Sequence, residues 1–186
     1  ITDAMLDLVD LSGGNIELWK HDTAQISCAD GEFDVCTGYG FLHHLHDLKS
    51  TVQEAFRVIR PGGLFFSGQD PNYYFWEMID AIKDRDDLSS IVARETVSVS
   101  NISDDIAKET GLDPETVAYA EYQKVIKGGL NPDEVTQMMA NIGFKNVHCQ
   151  YEWFLGQGKV LHQQSAEDAR VVESYLRESL PASRSM

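Results

Sequence analysis

The sequence is poor in three features that define large classes of protein: cysteine, positive charge and long apolar runs. Only three of its 186 residues are cysteine and none forms a C-x-x-C pair, so neither a disulfide framework nor a zinc knuckle is expected. Thirty acidic residues against fifteen basic ones give a net charge of -15, which disfavours nucleic acid and anionic membrane surfaces as partners. No apolar run approaches the roughly 18 residues of a membrane span. The expected location is a reducing, cytoplasmic compartment.

The composition and the first part of the chain predict an α/β domain. Hydrophobic residues make up 42% of the 186 positions, enough for one globular domain, 1–186, with its own core. Apolar patterning predicts strands at 16–22, 33–40 and 64–68, with a helix between the last two. Such alternation with short loops is typical of a parallel βαβ sheet with helices on both faces.

Beyond residue 72 the pattern becomes helical. A long helix is expected from about Tyr73, and a second is framed by "DPE" and "KGG". We interpret residues 73–129 as a helical cap inserted into the sheet domain. Asn131 and Gly143 frame a further helix, a strand is expected over 144–154, and an amphipathic helix over 165–180.

Three histidines, His43, His44 and His46, stand together in "FLHHLHD". A binuclear hydrolase loop of the type H-x-H-x-D-H needs a histidine directly after its aspartate, whereas Asp47 is followed by Leu48. Neither an H-E-x-x-H motif nor a cysteine pair supplies further ligands. The sequence therefore predicts no metal site, and it leaves packing, loop hydrogen bonds or acid/base chemistry as roles for these histidines.

Residues 31–72, "GEFDVCTGYGFLHHLHDLKSTVQEAFRVIRPGGLFFSGQDPN", resemble the middle of a class I S-adenosylmethionine-dependent methyltransferase of the small-molecule type. That family typically shows an F-D-x-V strand, an L-H-H-L corner, a helix ending in R-V-L-K-P-G-G and a strand followed by an acidic residue with P-N. Residues 16–26 and 129–149 resemble its third strand and a late helix–strand pair. The resemblance implies a Rossmann-like fold, S-adenosylmethionine as cofactor, and methyl transfer to a small-molecule acceptor.

The resemblance also implies roles for individual residues. Asp22 matches the carboxylate that accepts a hydrogen bond from the adenine amino group, and Thr23 would offer its backbone N–H to the ring. Gly38 and Tyr39 match the corner beside the methionine part of the cofactor. His43 matches a position near the transferred methyl group, where it would orient the acceptor or take its proton. The residues expected to line the acceptor site are Asp70, Asn72, Tyr73 and Trp76.

Two elements of the family pattern do not occur in the sequence: the glycine-rich turn D-x-G-x-G-x-G and the acidic residue that binds the ribose hydroxyls. We therefore interpret the fold as N-terminally truncated. The truncation leaves a gap in the predicted sheet. Three arrangements would fill it: residues 16–20 pair directly with 33–37, a second copy of the chain fills it, or the chain is a fragment of a longer protein.

Two other functions fit the same residues less well. One is a non-catalytic, methyltransferase-like module that binds a partner protein. The other is a nucleotide-dependent oxidoreductase, which is disfavoured because no G-x-G-x-x-G follows a predicted strand.

Overall fold

The structure is a computed structural model that describes residues 3–151, 165–171 and 174. The chain divides into two compact units, one formed by residues 1–36 and 47–65 and the other by residues 37–46 and 66–186. No helix among the described residues is long and apolar enough to cross a membrane. The interpretation of 1–186 as one domain stays a prediction.

The first unit is built around one amphipathic helix. A short helix, α1 (Asp3–Leu6), opens the described chain, and α2 (Leu48–Val58) supplies the core. Asp47 begins α2 by accepting hydrogen bonds from the Ser50 backbone N–H at 3.0 Å and the Ser50 hydroxyl at 2.5 Å. The buried residues of α2 recur at helical spacing and, with the residue that follows, are Thr51, Val52, Ala55, Val58 and Ile59.

A charged clamp ties the loop at 26–30 to α2. Arg57 donates to the backbone carbonyls of Ile26 and Cys28, at 2.9 and 2.8 Å. Glu54 accepts from the Ile26 backbone N–H at 2.7 Å and from Arg57 through both carboxylate oxygens. The hydrogen bonds from Arg57 hold the pKa of Glu54 at about 2, against a usual value of 4.5. This loop therefore depends on the charge of Glu54.

The described residues form a parallel sheet of two strands, β1 (Phe33–Tyr39) and β2 (Ile59–Gly68). The predicted strand–helix–strand order of β1, α2 and β2 is confirmed. Neither strand is covered on both faces, as the predicted sheet with helices on both faces would require, since Val35 is 50% and Leu64 58% exposed. A strand is covered only where other elements pack on its faces, and apolar composition alone does not supply them.

Two predicted strands are not formed. Residues 16–21 have no regular secondary structure, and Asp22 makes only an isolated bridge with Gln25. Residues 144–151 are likewise not a strand, and 152–154 lie outside the described residues. Alternating apolar residues favour a strand only when a neighbouring strand satisfies the backbone groups. The α/β class holds in its coarse form, but the larger sheet with helices on both faces does not occur among the described residues.

Most of the described residues of the second unit are helical. Its helices within the predicted cap are α3 (Tyr73–Ile82), α4 (Ser90–Ser100), α5 (Ile102–Thr110) and α6 (Pro114–Ala120). Each packs against the next one along the chain. The polar segment at 97–105 is helical except at Asn101, which forms a turn between α4 and α5. A π-turn at Tyr122–Ile126 follows α6.

The last fully described helix is α7 (Pro132–Ile142), which begins as predicted. The side chain of Asn131 accepts hydrogen bonds from the backbone N–H groups of Asp133 and Glu134, and Gly143 ends the helix. In the chain's tail, residues 166–171 are helical, in agreement with the predicted helix over 165–180, whose remaining part lies outside the described residues except for position 174.

Candidate active site around His43

The corner after β1 places the rings of His43 and His44 side by side in the second unit, with their centroids 4.0 Å apart. Gly40 turns the chain with φ of +55°, a conformation that favours glycine, and its N–H donates to the Gly68 carbonyl at 2.8 Å. A short 3-10 turn, Leu42–His44, follows. Leu42 and His43 are buried, whereas the side chain of His44 is 46% exposed. The predicted loop corner is therefore formed.

Asp70 holds His43 from the end of β2. The Asp70 Oδ1 atom accepts two hydrogen bonds from His43, one from the backbone N–H at 3.1 Å and one at the ring Nδ1 at 2.9 Å. The Ser67 hydroxyl donates to Asp70 Oδ2 at 2.7 Å. Burial raises the pKa of Asp70, but the hydrogen bonds from His43 and Ser67 outweigh it and hold this pKa below its usual value.

This arrangement sets the tautomer of His43. An ionised carboxylate only accepts hydrogen bonds, so we assign the proton of the neutral imidazole to Nδ1. The lone pair then lies on Nε2, which is 3.8 Å from Glu121 Oε2. His43 can therefore accept a proton at Nε2, and the resulting imidazolium would lie between two carboxylates. A residue placed in this way has the geometry of a general base.

Glu121 joins the site from the segment between α6 and the π-turn. Its Oε1 atom lies 3.5 Å from His44 Nδ1, and its Oε2 atom lies 3.1 Å from the Lys124 ammonium. The side chains of Glu121 and Lys124 are only 15% and 10% exposed. A carboxylate and an ammonium at this burial are stabilised by each other, because neither is fully solvated.

His46 contacts the segment that carries Glu121, through a hydrogen bond and ring stacking. His46 Nε2 is 3.0 Å from the Tyr119 carbonyl, and its ring stacks on Tyr122 at a centroid distance of 4.2 Å. His44 Nδ1 is 2.8 Å from the Ala120 carbonyl. The Gln123 side-chain amide donates to the Leu45 carbonyl at 2.7 Å. The histidine corner thus fixes residues 119–123 in place and with them Glu121.

Like Asp70, the predicted acceptor-site residues Asn72 and Tyr73 have structural contacts. Asn72 begins α3 by accepting a hydrogen bond from the Phe75 N–H at 2.9 Å, and it pairs with Leu130. The Tyr73 N–H donates to the Leu130 carbonyl at 2.9 Å. Trp76 differs, because its indole Nε1 is buried and has no hydrogen-bond partner among the described residues. An unsatisfied buried donor is costly, so its N–H is a candidate contact for a bound molecule.

The predicted cofactor-binding residues fall in both units. Asp22 is exposed in the first unit and accepts a hydrogen bond from the Ala24 N–H at 2.9 Å through Oδ1, while the Thr23 hydroxyl contacts that of Thr51 at 3.1 Å. Gly38 and the exposed Tyr39 end β1 in the second unit. A Cβ atom at Gly38 would come within 3.0 Å of the Phe41 ring, so local packing accounts for this glycine.

The sequence did not single out Ser67, Glu121 and Lys124. Ser67 lies in a predicted strand, three residues before Asp70. This short spacing is a signal in the sequence for the contact between the two side chains. Glu121 and Lys124 lie far along the chain in a segment that matches no motif. Only the contact between the histidine corner and the end of α6 brings them to His43.

Comparison with known proteins gives a match to one family model, over part of the chain. The sequence model of the family described as "Methyltransferase domain" matches residues 1–67. This match confirms the resemblance drawn from residues 31–72 and covers Asp22, Gly38 and His43, but it ends before Asp70. Neither a curated protein nor a solved structure matches the chain.

Proposed function

Because residues 1–67 match the sequence model of a methyltransferase domain, we propose that this protein transfers a methyl group from S-adenosylmethionine to a small-molecule acceptor. The observation that carries the proposal is the buried His43–Asp70 pair at the corner after β1. When bound, S-adenosylmethionine supplies a methyl group on an electrophilic sulfonium. The protein then has to orient the acceptor, exclude water and remove one proton.

His43 is the residue that removes this proton. Asp70 holds the ring and keeps its proton on Nδ1, so that Nε2 can accept a proton from an acceptor hydroxyl or amine as the methyl group is transferred. The positive charge that His43 gains is stabilised by Asp70 at 2.9 Å and by Glu121 at 3.8 Å. Glu121 is therefore an additional part of the proposed machinery.

The cofactor-binding residues are those of the family pattern. The carboxylate of Asp22 has a second oxygen that can accept a hydrogen bond from the adenine amino group, and the half-buried Thr23 follows it. Gly38 and Tyr39 would border the methionine part. The exposure of Asp22 and Tyr39 is compatible with these roles, since both side chains are open to a ligand.

The acceptor is proposed to be a small molecule that carries a hydrogen-bond acceptor for the Trp76 indole N–H. Asp70, Asn72 and Tyr73 lie on the segment that leads into α3. The net charge of -15 argues against nucleic acid as the substrate. A cytoplasmic location and self-association of the chain remain proposals.

Calorimetric titration with S-adenosylhomocysteine, the demethylated product, tests the proposal. We expect binding that weakens about tenfold in Asp22→Ala, because one hydrogen bond to a charged group is lost. Asp7→Ala removes another exposed aspartate of the same unit and serves as the matched control. Equal affinity in both variants would refute the role of Asp22. A folded chain that does not bind the ligand would contradict the enzymatic proposal and favour a non-catalytic module.

A further inference from the structure

Three side chains of the second unit converge on one point with the donor atoms of a metal site. His43, His44 and Glu121 each offer one nitrogen or oxygen atom, and the three atoms all lie within 4.8 Å of one another. We propose that these residues bind a divalent transition-metal ion such as Zn²⁺. The proposal rests on the geometry of these side chains and holds whether or not the protein transfers methyl groups.

The separations of the donor atoms suit a tetrahedral ion. Zinc–nitrogen and zinc–oxygen bonds of about 2.1 Å place two tetrahedral ligands about 3.4 Å apart. His43 Nε2 lies 3.8 Å from Glu121 Oε2, and His44 Nδ1 lies 3.5 Å from Glu121 Oε1. Each histidine nitrogen is thus within about half an ångström of the required separation from one oxygen of the Glu121 carboxylate. Rotation of that carboxylate, or its binding through both oxygens, would bring the three residues onto one ion.

Asp70 supports the proposal from the far side of His43. Metal-binding histidines almost always donate their other ring N–H to a carboxylate or carbonyl, which orients the ring and makes the ligating nitrogen more basic. His43 does this through Nδ1, which lies 2.9 Å from Asp70 Oδ1. The Asp70 carboxylate is itself fixed by Ser67 at 2.7 Å. The nitrogen that faces Glu121 is therefore oriented as in a carboxylate–histidine–metal arrangement.

Two contacts of the ligand side chains oppose metal binding. The Lys124 ammonium lies 3.1 Å from Glu121 Oε2, and its charge repels a cation bound by the same carboxylate. His44 Nδ1 lies 2.8 Å from the Ala120 carbonyl, a contact that must be given up if this nitrogen binds the ion. Removing the charge of Lys124 should therefore strengthen metal binding.

The fold provides the third metal ligand that the histidine motif lacks in the sequence. The histidine motif alone predicts no metal site, because the sequence around it supplies no further ligand. Glu121 supplies one from the end of α6. Two histidines and one glutamate form a ligand set that leaves a coordination position open for water or another ligand. An ion bound at His43 Nε2 also uses the lone pair that would accept a proton, so metal binding and proton removal by His43 exclude each other.

Titration of the metal-free full chain with Co²⁺, followed by visible absorption, tests the proposal, and Zn²⁺ displaces the probe in a second titration. We expect one tetrahedral site per chain. Glu121→Gln should weaken binding at least about tenfold, because an anionic ligand is lost. His148→Asn removes an exposed histidine outside the cluster and should leave binding unchanged. His44→Asn, at a half-exposed position, replaces Glu121→Gln if that variant does not fold.

Two more variants separate this site from adventitious binding. Lys124→Met should tighten binding by about tenfold, since a like charge is removed beside the ion, and Asp70→Asn should weaken it by about tenfold or more. Wild-type protein that takes up no Co²⁺ would overturn the proposal. So would equal affinity in the wild type, Glu121→Gln and Lys124→Met. Because no cofactor is added, the result does not depend on the proposed methyl transfer.

Discussion

At residue 129 the backbone leaves no space for a side chain. Gly129 has φ of +99°, and a Cβ atom there would lie 2.7 Å from the Asn72 carbonyl carbon and 2.8 Å from the Tyr73 nitrogen. Those atoms belong to the backbone connection in which Tyr73 and Leu130 are hydrogen-bonded. A larger residue must therefore separate the start of α3 from the start of α7.

Gly129→Ala should lower the free energy of unfolding by about 3 kcal/mol, because strained backbone and steric overlap add together. Gly128→Ala is the matched control. It has a similar positive φ of +75° but no atom within 4 Å of the added Cβ, so only about 1 kcal/mol should be lost. Urea unfolding of both variants measures the difference. Similar losses would show that the close approach at Gly129 is relaxed in solution.

Among the elements, the loop at 26–30 depends on the charge of one side chain of α2. The pKa of Glu54 is about 2 in the folded chain and near 4.5 without its partners. The unfolded chain therefore binds a proton at Glu54 more readily than the folded chain does. The stability that Glu54 contributes is present above about pH 4.5 and is lost as the pH falls from 4.5 towards 2.

Glu54→Gln should cost about 2 kcal/mol at pH 7, since the charged hydrogen bonds with Arg57 are replaced by neutral ones. It should also flatten the loss of stability between pH 4.5 and 2. Glu109→Gln changes an exposed glutamate of α5 and should keep the wild-type profile. Thermal unfolding at several pH values measures both variants. If Glu54→Gln lost as much stability as the wild type between pH 4.5 and 2, the stabilising role of the charged Glu54–Arg57 contact would be contradicted.

The elements also show why the sequence predicted some parts of the fold and not others. The start of α7 depends on Asn131 and the two residues whose N–H groups it accepts, all within four positions, so a local pattern predicts it. The strand expected over 16–22 depends on a pairing partner, which its own alternation cannot supply. In the site, the order of β1 and β2 in the sequence predicts the His43–Asp70 contact. The position of Glu121 beside His43 is not predicted, because it depends on the packing of a segment that matches no motif.

For the whole molecule, the excess of acidic residues is the dominant electrostatic feature. With a net charge of -15, the folded chain is destabilised by repulsion between like charges. Salt screens this repulsion, with a screening length of about 10 Å at 0.1 M. Added salt should therefore stabilise the fold, even though it weakens exposed ion pairs such as Lys20–Asp3.

Raising NaCl from about 10 to about 300 mM should increase the free energy of unfolding by about 1 kcal/mol. Urea unfolding in the presence of a chelator measures this change without contributions from bound metal. KCl at the same concentrations should give the same increase, because screening does not depend on which monovalent cation is present. A decrease with either salt would mean that specific ion pairs outweigh the general repulsion.

The contacts that assemble the candidate site join residues far apart along the chain. His44 and the Ala120 carbonyl are 76 positions apart, and Gln123 and the Leu45 carbonyl are 78 apart. The conformational entropy of closing so long a loop is lost before the few contacts at its ends can offset it, so contacts of this kind form late unless they belong to the folding nucleus. Substitutions at Gln123 are then expected to accelerate unfolding while leaving the folding rate nearly unchanged. The chemistry at His43 would become available only in the last step of folding.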